Sequence, residues 1–298
     1  MLELSLWNIG WVLPCCQIYG VLFNMVGFND FYKSKGYGFN TMLCHKLYKA
    51  IKNNHIFIVF QPIINSAAMT IDAFEVLSRW NDDVLGEVSP ERYIPILEKM
   101  GWILDFSEEQ FKQLCVSIGR IDAVCTQSFQ FNVNLSVVQL RSREHLNRLL
   151  STLDHYHIRR NRIVFEITES HRLEEDSIVM ANADWLRQRN VGIALDDLGA
   201  GKSSLINVVG LPLNQVKIDK MVIQLAPDNT FYCEVIEALV RFGNKIGFEV
   251  VAEGVEDLLI VNLMKSLNVH QMQGYYFSKP NTENYWCEKL SGCSISVP

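Results

Sequence analysis

The sequence predicts an α/β fold of the closed (β/α)8 type, a TIM-like barrel, on three observations. Short apolar strands alternate with helical stretches along most of the chain, the pattern of a parallel sheet clothed in helices. Seven or eight such units fall within roughly 240 residues, which suits closure into a barrel. The first strand runs into Gln61-Pro62-Ile63, not into the glycine fingerprint that opens a doubly wound sheet.

Residues 1 to about 40 stand apart. No charged side chain occurs between Glu3 and Asp30, and Trp7, Trp11, Leu13, Val21, Leu22, Phe23, Met25 and Val26 make the stretch strongly apolar. A membrane span needs roughly 20 mostly apolar residues, but Asn8, Pro14, Gln17 and Asn24 interrupt this one. No basic residue precedes it, as a secretory signal requires. Lys33, Lys35, Lys46 and Lys49 follow it, which would keep the remainder in the cytoplasm were it an inner-membrane anchor. A packed extension and a fragment of an upstream domain are the other readings. The sequence thus divides into an N-terminal extension, 1–41, and a catalytic-type domain, 42–298.

From Met42 the pattern is regular. Leu43, Leu47 and Ile51 recur at helical spacing over 42–53. Strands follow at 57–61, ended by Pro62, and at 71–80. The polar stretch 65–68 between them predicts a hairpin. Helices are expected at 90–100 and 105–119, a strand at 129–135, a helix at 137–156, a strand at 162–167 and a helix at 174–190. Then come a strand at 191–195, a short helix at 203–209, a strand at 215–218 and a helix at 231–246. A strand at 249–251, a helix at 256–267 and a short strand at 269–271 close the series.

Composition narrows the function. With 49% hydrophobic and 20% charged residues the chain is an ordinary globular protein. A net charge of -6 leaves no basic stripe for duplex nucleic acid. An acidic protein handling a phosphate ester needs metal ions to invert the local field. Eight cysteines without a C-x-x-C pair read as reduced thiols of a cytosolic fold, not as a zinc site.

In such barrels chemistry sits at the carboxyl ends of the strands, and polar residues collect there. The second strand carries Glu75 and Arg79. Others end in Asn132-Val133-Asn134-Leu135-Ser136, Glu166-Ile167-Thr168-Glu169, Asp196-Asp197, Lys217-Ile218-Asp219, Glu253-Gly254-Val255-Glu256 and Gln273-Gly274-Tyr275. Taken singly, each has an ordinary structural explanation, such as a turn or a helix cap. Glu166 and Lys217 are harder to dismiss, since a charge inside an apolar strand is costly unless paired. Gly199 and Gly201 break the strand after Asp196-Asp197. One bend there would turn two neighbouring carboxylates toward one point, an arrangement that suits a hard divalent cation.

In this order the motifs resemble those of the EAL-domain phosphodiesterases, which hydrolyse the bacterial second messenger cyclic di-GMP. They are Gln61-Pro62, Glu75-Val76-Leu77 with Arg79, Asn134-Leu135-Ser136, Glu166-Ile167-Thr168-Glu169, Asp196-Asp197-Leu198-Gly199-Ala200-Gly201, Lys217-Ile218-Asp219, Ala252-Glu253-Gly254-Val255-Glu256 and Gln273-Gly274-Tyr275. The resemblance runs from about Phe57 to Pro280. It implies a modified (β/α)8 barrel with an antiparallel first strand, in line with the hairpin. It also implies hydrolysis to linear pGpG with two Mg²⁺ or Mn²⁺ ions per active site, and a homodimer.

By resemblance, Glu75, Asn134, Glu166 and Asp196 hold one metal, and Asp196 and Asp197 the second, with Glu253 nearby. Lys217 contacts the attacking water, either as general base or as a charged positioning group. Gln273 supports that water and the metal shell. Arg79 grips a substrate phosphate, Gln61 contacts a guanine, and Glu169 braces the 197–201 loop. Three residues depart from the family pattern: Val76 for alanine, Leu198 for phenylalanine and Lys202 for an aromatic. No ligand is missing, which favours an enzyme over the alternative, a non-catalytic cyclic di-GMP receptor or protein-interaction module.

Overall fold

The structure is a computed structural model that describes residues 41–53, 55–168, 176–200 and 210–291. By backbone contacts the chain divides between Asn53 and Asn54. The first unit contributes one described helix, α1 (Thr41–Lys52), with Leu43, Leu47 and Ala50 buried along one stripe.

The second unit is a closed barrel of eight strands. In chain order the strands are β1 (Ile56–Asn65), β2 (Ile71–Asp82), β3 (Gly86–Val88), β4 (Gln130–Asn134), β5 (Ile163–Thr168), β6 (Gly192–Leu198), β7 (Gln215–Ile218), β8 (Glu249–Ala252) and β9 (Gln271–Met272). From β2 the barrel runs through β4, β5, β6, β7, β8 and β9 in parallel steps. β1 closes it, antiparallel to both β2 and β9. β3 lies outside the ring as a short antiparallel extension of β2.

The β1–β2 hairpin has the predicted form. β1 runs past Pro62, where the sequence suggested a stop. Proline cannot donate to a ladder, but β1 pairs with β9 only at Ile64 and Asn65, so Pro62 forgoes no bond to β9. The expected strands at 71–80, 129–135, 162–167, 191–195, 215–218 and 249–251 all form within a few residues. The last strand is Gln271–Met272, later than expected.

Helices cover the outside: α2 (Pro90–Met100), α3 (Ile103–Val124), α4 (Val137–Leu140), α5 (Arg143–His155), α6 (Ser177–Arg187), α7 (Lys220–Leu225), α8 (Thr230–Ile246), α9 (Leu258–Ser266) and α10 (Glu283–Leu290). Their boundaries are chemical. Ser89 caps α2 with Pro90 at its first position, and Gly101, left-handed at φ 71°, ends it. The helix expected over 137–156 is two helices. Ser142 accepts from the His145 N–H and starts α5 afresh. Asp82 accepts from the Val84 and Leu85 N–H groups and turns the chain back into β3. The helix expected at 203–209 and the first two residues of that expected at 174–190 lie outside the described residues, and the latter helix begins at Ser177 behind the Asp176 cap.

The main core lies between strands and helices and includes Phe60, Phe74, Phe131 and Phe165. Inside the ring the apolar filling is slight, a separate cluster of Ile63, Ala73 and Val251. The strands alternate, so the inward positions of β2, β4, β5 and β7 fall to Glu75, Asn132, Glu166 and Lys217, and Glu253 and Gln273 stand one residue past the ends of β8 and β9. Barrel interiors are usually packed with branched apolar residues. This one is largely polar.

Candidate active site

Lys217 organises the upper end of the barrel. Its side chain is 1% exposed, and Nζ lies 2.7 Å from Glu253 Oε1, 3.0 Å from Glu166 Oε1, 3.2 Å from Asp196 Oδ1 and 3.5 Å from Glu75 Oε2. Three strands, and the residue just past a fourth, thus each deliver a carboxylate to one ammonium. Gln273 Nε2 donates to Glu75 Oε2 at 2.6 Å, and Asn134 Nδ2 to Glu75 Oε1 at 3.3 Å.

Asp197 completes the set through its backbone. Its φ of 59° is left-handed, a conformation that costs a non-glycine residue about 1–2 kcal/mol. The sequence expected a bend after a strand ending at residue 195; the twist falls inside β6, where its register with β7 shifts between Leu195 and Leu198. Ligand atoms of Asp196, Asp197 and Glu253 all lie within 4.8 Å of one another.

One ammonium does not balance so many acids. Burial, reinforced by the charges of Glu75 and Asp196 and opposed by Lys217, holds the Glu166 carboxyl well above its ordinary range. Burial pushes Glu253 up to about 8, against the pull of Lys217. Burial and then the Asp196 charge push Asp197 up to about 6. Burial also acts on Glu75, but Lys217, Gln273 and Asn134 outweigh it and lower the carboxyl. Lys217 loses hydration on burial, yet Asp196, Glu166, Glu253 and Glu75 together hold its proton firmly.

Two further features suit a cation. Glu166 Oε2 and Gln273 Oε1 are buried without a hydrogen-bond partner, so acceptors remain unsatisfied. Every ligand on offer is oxygen, from carboxylates and amides, the donor set of Mg²⁺ or Mn²⁺ and not of zinc. The residues present fit divalent ions of that class. From this basket a cavity of about 630 Å³ extends past Asn134 and Ser136 toward Pro90, Ile94, Phe106 and Gln110. A small organic ligand fits a space of that size.

The remaining predicted residues fall differently. Gln61 pairs across β1–β2 with Glu75 and is buried, its Nε2 donating to the Ser278 carbonyl at 3.3 Å. Arg79 sits four residues beyond Glu75 on β2. Its Nη1 donates to the Ser78 carbonyl, and Nε lies 3.9 Å from Glu87. Glu169 and Lys202 lie outside the described residues. Val76 points outward into the core with Phe60 and Phe74, so this departure leaves the carboxylates untouched.

The sequence gives Gln215 no role, and Asn132 none beyond its place in the polar stretch 132–136. Asn132 Nδ2 donates to Glu166 Oε1 at 2.9 Å and to Gln215 Oε1 at 2.8 Å. The available signal was period two: Asn132 shares a face with Asn134, and Gln215 with Lys217.

A model of the EAL domain family matches residues 45–280. The chain belongs to the EAL domain family. It is 31% identical over 234 residues to the oxygen sensor protein DosP of Escherichia coli (strain K12), covering 78% of this chain and 29% of DosP. It is 30% identical to PdeN of the same organism, named a probable cyclic di-GMP phosphodiesterase, over 78% of this chain and 44% of PdeN. The chain therefore spans less than half the length of either curated relative. Among solved structures, the PaMucR phosphodiesterase in complex with c-di-GMP aligns with a TM-score of 0.74 at 25% identity. That alignment covers 82% of this chain and 99% of the other.

No described helix is long and apolar enough to cross a membrane. The apolar stretch 1–40 lies outside the described residues.

Proposed function

We propose that this EAL domain hydrolyses one phosphodiester of cyclic di-GMP to give linear pGpG. The observation that carries the reading is the basket itself, in which carboxylates from β2, β5, β6 and the end of β8 surround Lys217. Glu75, Asn134, Glu166 and Asp196 would hold one divalent cation, and Asp196 and Asp197 a second, with Glu253 beside it. Bound there, Mg²⁺ or Mn²⁺ supplies a nucleophilic water near neutral pH and neutralises the phosphate.

The residues have separate tasks. Lys217 contacts the attacking water, and its buried site keeps other water away. Gln273 and Asn134 fix the orientation of Glu75, a supporting role that affects ligand quality. Arg79 offers a guanidinium fork to a substrate phosphate. Gln61 faces a guanine, and Glu169 steadies the loop after Asp197. The domain is assigned to residues 42–298 and the extension to 1–41. We place the domain in the cytoplasm as a homodimer, with 1–40 as a candidate membrane attachment.

The test is incubation of the purified protein with cyclic di-GMP and Mn²⁺, with chromatography for pGpG. Turnover is expected, with loss of roughly 1,000-fold or more in Glu75→Ala as the first ion site empties. Binding without pGpG would instead identify a receptor, and unchanged turnover in Glu75→Ala would overturn the ligand assignment.

A further inference from the structure

Arg79 stands on a stretch of β2 that the sheet holds by one edge. The ladder from β2 to β4 ends at Val76, and the ladder from β2 to β3 begins only at Trp80. Among the described residues, Leu77, Ser78 and Arg79 pair with β1 alone. A guanidinium rooted there is only as well placed as its backbone. Small misplacements of a binding group are costly to an enzyme even away from the chemistry.

The support missing from the sheet comes from α2. Side chains alternate along β2, so Ser78 shares the outward face of Val76 and Arg79 the face of Glu75. Ser78 Oγ lies 2.6 Å from the Tyr93 hydroxyl, where either group can donate. The Ser78 carbonyl in turn accepts from Arg79 Nη1 at 2.9 Å. One residue thus joins α2 to the guanidinium. The other anchor, Glu87, is weaker: it lies 3.9 Å from Nε and its side chain is 72% exposed, so solvent screens the pair.

Tyr93 is itself firmly held. It is fully buried, and its ring meets Trp80 edge-on at 5.8 Å and Phe106 at 6.3 Å. Val88, opposite Trp80 in the β3 ladder, is buried as well. Burial raises the Tyr93 hydroxyl to about 12, against the Ser78 hydrogen bond and the Arg79 charge. The hydroxyl therefore keeps its proton, and Arg79 is close enough to act on it. A phenylalanine would fill the same space; what the hydroxyl adds is the bond to Ser78.

We infer that Tyr93 is a positioning residue for Arg79, fixing the end of β2 through Ser78 so that the guanidinium is presented to a substrate phosphate. The inference rests on the cyclic di-GMP reading and deepens it by naming what steadies the phosphate grip. The bond to the Ser78 carbonyl takes one N–H of the guanidinium, which leaves a fork for the phosphate. Ser78 lines the cavity that leads to the basket and Tyr93 does not, so Tyr93 acts through Ser78 and not on the substrate.

The test is steady-state kinetics of the full chain with cyclic di-GMP and Mn²⁺, with thermal melting to confirm that each variant is folded. Tyr93→Phe and Ser78→Ala should each raise KM about 5-fold, the loss of one hydrogen bond, and leave kcat within about 2-fold. Mn²⁺ affinity should not move. Arg79→Ala should raise KM at least as much, and adding Tyr93→Phe to it should raise KM no further, because the group that Tyr93 steadies is gone. If the wild-type protein binds without turnover, the same pattern is read in the dissociation constant. Unchanged KM in a folded Tyr93→Phe protein, a fall in kcat in place of the rise in KM, or additive effects of Tyr93→Phe and Arg79→Ala would each overturn the positioning role. Unchanged KM in Arg79→Ala would overturn the phosphate grip itself, and the positioning role with it.

Discussion

At the level of single residues, the structure separates groups that meet the reacting centre from those that hold them. Asn132 belongs to the second kind. It is fully buried and divides one amide N–H₂ between Glu166 and Gln215. Replacing it with leucine removes both donors and leaves two buried acceptors without them, a loss of about 1–3 kcal/mol in stability. Because Glu166 then loses a fixed orientation, Mn²⁺ affinity should fall roughly 10-fold, measured by calorimetry on the purified variant. Retention of wild-type affinity would show that Glu166 is held by Lys217 alone. The charged pair at the centre was legible in the sequence, because Glu166 and Lys217 stand in apolar strands where an unpaired charge is too costly. Asn132 and Gln215 were not, since an amide is tolerated in many settings and its partner lies on another strand. Arg79 shows the converse: its motif position is plain, but its contacts are with Ser78 and Glu87.

At the level of elements, local chemistry predicted existence better than boundaries. The alternating pattern located the strands, and the polar stretch 65–68 the hairpin that makes β1 antiparallel. The break at Ser142 was hidden because the apolar spacing continues across it, and only the cap reveals two helices. β3 and α7 are too short for periodicity to register. The loop after β9 shows an element under tight constraint. A Cβ built on Gly274 would lie 2.0 Å from the Val255 carbonyl oxygen and 2.4 Å from its nitrogen. Both are backbone atoms, so the two loops bearing Gln273 and Glu253 would have to separate. Gly274→Ala should destabilise the domain by about 1–3 kcal/mol and lower turnover more than substrate affinity. Thermal melting and steady-state kinetics check both; a variant with unaltered turnover would mean that the basket tolerates such a shift.

At the level of the whole molecule, the barrel concentrates carboxylates that folding forces together and Lys217 only partly neutralises. The raised groups set how stability depends on pH. Asp197 moves from 3.8 to about 6 and Glu253 from 4.5 to about 8. In both the native state binds its proton more tightly than the unfolded chain does. Between about pH 4 and pH 8 the native state therefore carries the extra proton, and its stability falls as pH rises through that window. Glu75, whose carboxyl is lowered, acts in the opposite sense only near and below pH 4.5. His145 and His270, both lowered by burial, oppose the fall near pH 6.5, so a bare melting curve would mix these effects. A difference measurement isolates the basket. Mn²⁺ binds the ionised carboxylates, so the rise in melting temperature it produces should be small at pH 5 and grow steadily to pH 8. At one hundred times its dissociation constant the ion should contribute about 2.7 kcal/mol. In Glu253→Gln the metal-free protein should lose the part of its decline with pH that Glu253 contributes, and keep the part that Glu166 and Asp197 contribute. A stabilisation by Mn²⁺ that is flat from pH 5 to pH 8 would mean that the ion binds elsewhere and that the basket is held together by Lys217 alone.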